Sequence, residues 1–221
     1  MKPSITFLLS ALLLTTAFVR AQEWTVIFDG KSTDALRGYK EKTFPGKVWV
    51  IDGDALKAIA GRGGDIITKE TYEDFELELE WKISSGGNSG IMYRVAETNG
   101  PAWYSGPEMQ VLDDQKHGDG KDPKTSAGAL YALIAPNQDK KLNPVGEWNS
   151  AKIVMKNGHV EHWLNGAKVV EYEWDSPEVR ALIKESKFKD MKDLMKEKSG
   201  HIALQHHGDE VRYRNIRIRR L

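Results

Sequence analysis

The chain has 221 residues, 32 of them Lys or Arg and 32 Asp or Glu, and it contains no cysteine. Balanced charge argues against a nucleic acid or an anionic membrane surface as partner. The missing thiols exclude disulfides, thiol nucleophiles and zinc–thiolate sites, so stability has to come from packing.

A basic Met1-Lys2 start is followed by an apolar run from Ile5 to Val19, which ends in Val19-Arg20-Ala21. That is the layout of a secretory signal with cleavage after Ala21. The run is shorter than the roughly 20 apolar residues of a spanning helix. The expectation is a signal peptide over residues 1–21 and an exported protein, periplasmic or secreted, with no membrane span, in which residues 22–221 form a single domain.

Trp24 to Phe28 reads as a first strand stopped by Asp29-Gly30, and Lys47 to Asp52 with Asp54 to Ala60 as a hairpin turned at Asp52-Gly53. Ile66 to Thr68 follows a glycine-rich segment. Phe75 to Trp81 alternates strictly, with Glu76, Glu78 and Glu80 on the polar side, which predicts a strand with one solvated face. Ile91 to Val95, Glu108 to Leu112 and the apolar Gly128 to Ile134 are further strand-length segments. Asn157-Gly158 and Asn165-Gly166 divide Glu147 to Glu173 into a three-stranded meander, because type I′ turns favour these residues at positive φ.

Pro177 to Lys198 breaks the pattern with Val179, Leu182, Ile183, Met191, Leu194 and Met195 at helical spacing, predicting one or two helices that either pack on the sandwich or form a lid. His201 to His207 and Val211 to Ile218 are the last strands. On the terminal one, Arg212, Arg214, Arg217, Arg219 and Arg220 read as edge protection and solubility, not as a nucleic-acid surface. About a dozen short strands with Gly, Asn and Pro turns predict an all-β fold, a two-sheet antiparallel β-sandwich or jelly roll, with a short helical segment near 178–198.

The stretch from Gly86 to Asp114 departs from a plain core pattern. Arg94 sits in the first of its strands, and Glu108 and Gln110 share one face of the second, opposite Met109 and Val111. By the same alternation Gln205 and His207 share a face, away from Ile202, Leu204 and His206. No dinucleotide-binding, Walker, nucleophile-elbow or HExxH motif occurs. Glu108 to Asp113 resembles the Glu-x-Asp-x-x-Glu strand of bulged jelly-roll glucanases, but Gln110 stands at the middle position and cannot titrate. A retaining glycosidase needs two carboxyls about 5–5.5 Å apart, and positions 108 and 113 share a face only across a bulge. Asp113, Asp114 and His117 are candidate ligands for a divalent metal; alternatively they cap a loop.

FDGKS, GGNSGIMYR, GPEMQVLDD with His117 after it, GALYALIAP, GEWN, HWLNG, SKF, and GHIALQHHG before VRYRNIRI follow one another along the chain. In this order, from Trp24 to Leu221, the series resembles the 3-keto-disaccharide hydrolase family, whose fold is a concanavalin-like jelly roll. The resemblance implies a carbohydrate substrate already oxidised at C3 by a separate sugar 3-dehydrogenase. It implies cleavage by C2 deprotonation, elimination of the C1 substituent and hydration, which needs a base, an acid and donors at the C3 oxygen. Carried onto this chain, it makes Glu108 and His207 the catalytic acid and base in either order, with Arg94, Gln110, Asn88, Trp148 and Gln205 as substrate-binding residues. No cofactor is required by this route, although a metal would be an apt electrophile. His162 is a face residue or a site member. The alternatives are a non-catalytic carbohydrate-binding module, stacking sugar on Trp103, Tyr104 and Trp148, and a conventional retaining glycosidase.

Overall fold

The computed structural model describes residues 23–61 and 63–221; the signal peptide expected over 1–21 lies outside them. Thirteen strands and one α-helix follow in order: β1 Thr25–Phe28, β2 Leu36–Gly38, β3 Trp49–Asp52, β4 Ala55–Ala58, β5 Ile66–Thr68, β6 Phe75–Ile83, β7 Asn88–Val95, β8 Glu108–Leu112, β9 Asn149–Lys156, β10 His159–Leu164, β11 Ala167–Glu173, α1 Pro177–Glu185, β12 His201–Leu204 and β13 Val211–Arg220. They form two antiparallel sheets. The larger runs β11-β10-β9-β6-β13-β4-β3 with β1 also on β13, and the smaller runs β2-β5-β12-β7-β8. Among the described residues no helix is long and apolar enough to cross a membrane.

The expected jelly-roll sandwich is present, and alternation explains how its layers meet. Phe75, Leu77, Leu79 and Trp81 of β6 and Ile153 and Met155 of β9 face Ile66, Ile91, Tyr93, Met109, Val111, Ile202 and Leu204 of the smaller sheet in one buried cluster. Glu76, Glu78 and Glu80 point outward, as expected, but they are not simply solvated. Glu80 meets Arg214 at 2.6 Å, Glu78 meets Arg217 at 2.5 Å, and Glu76 pairs with Arg219. The edge-protection reading of those arginines is thereby corrected: β13 lies between β6 and β4, and its cations form a cross-strand ladder. A bulge between Arg214 and Arg217, with Asn215 at φ 52°, shifts the inward positions from Tyr213 to Ile216 and Ile218.

Two other segments differ from expectation. Gly128 to Ile134 is not a strand but a tight series of turns, held by isolated bridges from Leu130 to Met109 and to Ile134. Of Pro177 to Lys198, only Pro177–Glu185 is helical. Ser176 caps its start, and the chain then turns irregularly over the sandwich. Its apolar spacing beyond 185 reflects burial of Phe188, Leu194 and Met195 rather than a helix face.

His162 lies in the core. Its Nε2 sits 2.8 Å from the Tyr93 hydroxyl, which is 2.7 Å from that of Tyr172, and its Nδ1 is 3.2 Å from the Gly128 carbonyl. With Nδ1–H donating to the carbonyl, Tyr93 donates to Nε2 and accepts from Tyr172, so both ring nitrogens of His162 and the Tyr93 hydroxyl are satisfied. Burial lowers the imidazole pKa to about 4. His162 is therefore a neutral structural residue.

Candidate functional site

The outer face of the smaller sheet is only partly covered. Met92, Val95, Ala102, Ala203 and Ile67 form a second small apolar cluster against which Trp103 packs. Beside it the sheet opens into a pocket of about 150 Å³ lined by Asn88, Trp103, Glu108, Gln110, Tyr131, Lys187, Phe188, Gln205 and His207. Five of the seven residues singled out from the sequence, from β7, β8 and the segment directly after β12, meet here: Asn88, Glu108, Gln110, Gln205 and His207.

Strand register accounts for the convergence. Gly90 pairs with Gln110, and Met92 with Glu108, while Gln205 N–H donates to Gly90 O at 2.9 Å. Ser89, on the opposite face of β7, donates to Gln205 O at 2.7 Å and shares a 2.7 Å contact with the Tyr213 hydroxyl, fixing the end of β12 beside β7. Gly90 leaves the floor open, and the Glu108 carboxyl occupies that space: a Cβ at position 90 would fall 1.8 Å from Oε1.

Glu108 is 8% exposed. Burial raises its pKa to about 8; the negative charges of Asp65 and Asp119 add to this, and the Lys187 ammonium opposes it. The carboxyl therefore mostly holds its proton at neutral pH. Asp65, whose pKa is itself raised by burial, accepts the His206 N–H at 2.9 Å and interacts electrostatically with His207.

The amide oxygens of Asn88, Gln110 and Gln205 are buried with no hydrogen-bond partner among the described residues. Gln110 donates from Nε2 to Thr125 O at 3.1 Å, which leaves its oxygen, an acceptor, as the group without a partner. Three free acceptors around a carboxylic acid suit a ligand rich in hydroxyl groups, since a buried acceptor left unpaired costs about 1–3 kcal/mol.

Arg94 and Trp148 lie elsewhere. Alternation would put Arg94 on the outer face with Met92, but His201 pairs with Val95 and Ala203 with Met92, so β7 carries an extra residue there and Arg94 adopts φ 50°. Its guanidinium turns to the Glu73 carbonyl, 3.0 Å from Nη2, to Asp74 at 3.7 Å and onto the Trp174 ring at 4.6 Å. Trp148 lies against the larger sheet, between Lys82 and Arg214, each stacked on its ring. His206 points away from the pocket, edge-on to Trp49 at 5.6 Å. A larger groove of about 670 Å³ on the larger sheet includes Glu78, Lys152, Trp163 and Arg217. There Glu78 is paired with Arg217 and Lys152 covers the Trp163 ring at 4.1 Å, so it offers little free chemistry.

The donor set of the candidate metal loop is committed to holding that loop. Asp113 accepts from Gly86, Gln115 and Lys116 N–H groups, Asp114 from Ala127 N–H and the Lys140 ammonium, and His117 Nδ1 from Asp119 N–H. These residues do not fit a metal centre, and the cap reading stands. Among the described residues a metal-compatible group exists at His159, Glu161 and Glu171, on the edge hairpin, where Lys168 already bridges both glutamates.

Lys187, Phe188, Tyr131, Gly90 and Asp65 were not singled out from the sequence. Lys187 Nζ donates to the Tyr131 hydroxyl at 2.9 Å, and that hydroxyl donates to Asp119 at 2.9 Å, tying the segment after α1 to the pocket wall. The SKF, GALYALIAP and GGNSG motifs contained four of these residues. Asp65, directly after Gly63-Gly64, carried no signal beyond that of a turn.

The chain matches the family described as the 3-keto-alpha-glucoside-1,2-lyase-like domain over residues 23–219. A relative from Bacteroides thetaiotaomicron named 3-keto-disaccharide hydrolase is 37% identical over 232 residues, 91% of this chain and 79% of the relative. A solved structure from Parabacteroides distasonis ATCC 8503, provisionally named a glycosyl hydrolase, superposes with a TM-score of 0.82 at 30% identity, covering 90% of this chain and 94% of that one. The carbohydrate-binding module CBM66 from Bacillus subtilis, 13% identical with a TM-score of 0.51 and coverage of 90% and 97%, shares the fold alone. The order of motifs, the sandwich and the match across nearly all of the described residues agree: this chain belongs to the 3-keto-alpha-glucoside-1,2-lyase-like family.

Proposed function

We propose that the protein hydrolyses 3-keto-glycosides, disaccharides or glucosides oxidised at C3, by elimination and hydration. The observation that carries this reading is Glu108: a buried carboxyl that keeps its proton to about pH 8, on the floor of a small pocket whose amide oxygens await donors. An engineered apolar cavity of about 150 Å³ admits benzene, so a pocket of this size matches one six-membered ring. The named activity of the Bacteroides relative points the same way.

The C3 ketone acidifies the C2 proton. His207, at the accessible side of the pocket, removes it, and the electron pair passes through C2–C3 to the ketone oxygen as an enolate. The enolate collapses to expel the C1 substituent, and Glu108 protonates the leaving oxygen. The intermediate is an enone conjugated through C1 and C2. Water then adds at C1 while Glu108, now a carboxylate, takes its proton, and the His207 imidazolium returns a proton to C2. The sum is substrate plus water giving a 3-keto sugar and an alcohol, with both residues restored. No second carboxylate beside the anomeric carbon is needed, and Asp113 supplies none, since both its oxygens accept from backbone N–H groups. A separate dehydrogenase has to supply the ketone.

The test is to offer a disaccharide and its 3-keto derivative, with and without chelator. Cleavage of the oxidised sugar alone, with solvent deuterium entering at C2, supports the proposal. Cleavage of the unoxidised disaccharide would favour a conventional glycosidase. Binding without cleavage of either would favour a carbohydrate-binding module.

A further inference from the structure

The pocket around Glu108 has room for one ring, so the second ring of a disaccharide has to lie outside it. A groove of about 690 Å³ adjoins it, lined by Asn99, Tyr104, Asp190 and Asp193 among others. The two spaces share Lys187. They also share a short 3₁₀ turn, Ala102–Tyr104, which presents Trp103 to the pocket and the next residue, Tyr104, to the groove.

Tyr104 is a large aromatic left 38% exposed. It is not loose: its ring rests on Gly100, where a Cβ would fall 2.1 Å from the ring, and meets Trp103 at 4.6 Å between centroids, inclined by 76°. Gly100 is itself anchored, its carbonyl accepting from the Tyr39 hydroxyl at 3.2 Å and from Lys40 Nζ at 2.8 Å. A fixed aromatic face beside carboxylates and an amide is the chemistry that receives a sugar ring, with its C–H face on the aromatic and its hydroxyls on the acceptors.

On the reading of a 3-keto-glycoside as substrate, we propose that this groove is the leaving-group subsite: an uncharged, hydroxyl-rich pyranose stacks on Tyr104 while the oxidised ring occupies the pocket. The bond to be broken then passes Lys187, the residue common to both spaces. The subsite makes the protein selective for 3-keto sugars with a sugar leaving group over those with a small alcohol.

The experiment compares wild type, Tyr104→Ala and Tyr104→Phe on a 3-keto disaccharide and on methyl 3-keto-glucoside. Tyr104→Ala is expected to raise KM for the disaccharide about tenfold, the scale of losing one well-placed aromatic contact, with kinetics on the methyl glycoside unchanged and Tyr104→Phe close to wild type on both. Equal effects on the two substrates, or none on either, overturn the subsite. Saturation-transfer NMR with free glucose reads binding in the pocket and the groove together without turnover: a weaker signal in Tyr104→Ala supports the subsite, and equal signal in both proteins overturns it. If wild type cleaves neither oxidised substrate, the proposed activity fails, while the NMR comparison still decides the groove.

Discussion

Gly90 and Glu108 occupy one space on the outer face of the smaller sheet: the carboxyl of one lies where a side chain of the other would be, 1.8 Å from the position of its Cβ. The conflicting atoms, Oε1, Cδ and Cγ of Glu108, are all side chain and none is backbone, and Gly90 is not among the positive-φ glycines. Gly90→Ala is therefore expected to fold with little change in Tm while pushing the carboxyl out of place. Displacement of a reacting group by about 1 Å can cost a hundredfold in rate, and kcat/KM on a 3-keto-glycoside should fall by that order. Unchanged kinetics would remove Glu108 from the chemistry.

Glu108→Gln tests both activity and linkage. The folded pKa of about 8 stands above the ordinary glutamate value of 4.5, so between these values the folded state holds a proton that the unfolded state has lost, and stability falls as pH rises. Replacing the acid by an amide removes that penalty. The variant should be more stable than wild type by roughly 2–5 kcal/mol above pH 8, and by much less below pH 4.5, while losing most turnover and retaining substrate binding. Urea unfolding at pH 5 and pH 8.5 measures the difference. In wild type, kcat should decline on the alkaline side as Glu108 ionises.

Arg94→Met separates structure from site. Its guanidinium is held by Glu73 O, Asp74 and the Trp174 face, away from the pocket. The substitution should cost about 2 kcal/mol of stability with KM unchanged. A large rise in KM without loss of stability would return Arg94 to the substrate.

His162 sets part of the acid limit. Its folded pKa of about 4 lies below the ordinary histidine value of 6.5, so its contribution is complete above 6.5 and is lost as pH falls from there towards 4, by about 3 kcal/mol. His162→Phe leaves the Tyr93 hydroxyl without its acceptor and should be less stable at pH 7. Its stability should also fall less steeply between pH 6.5 and 4 than that of wild type. Parallel acid limbs in the two proteins would assign the slope to other groups.

Much of this protein was legible residue by residue. The strict alternation of Phe75 to Trp81, the two Asn-Gly turns and the ordered motifs determined a two-sheet sandwich and its family, because period-two burial and positive-φ turns are local properties of the chain. The same rule placed Glu108 with Gln110 and Gln205 with His207, and the fold brings both pairs to one pocket. Tertiary structure alone decided the exceptions. The bulge in β7 carried Arg94 away from the face that alternation assigned to it, since register depends on the partner strand. Lys187 and Phe188 reached the pocket wall from a segment 79 and 80 positions beyond Glu108. The raised pKa of Glu108 exists only once the strands beside it, the loop carrying Tyr131 and the segment after α1 close off water. Identity and spacing are written along the chain, but desolvation and proximity belong to elements far apart in it.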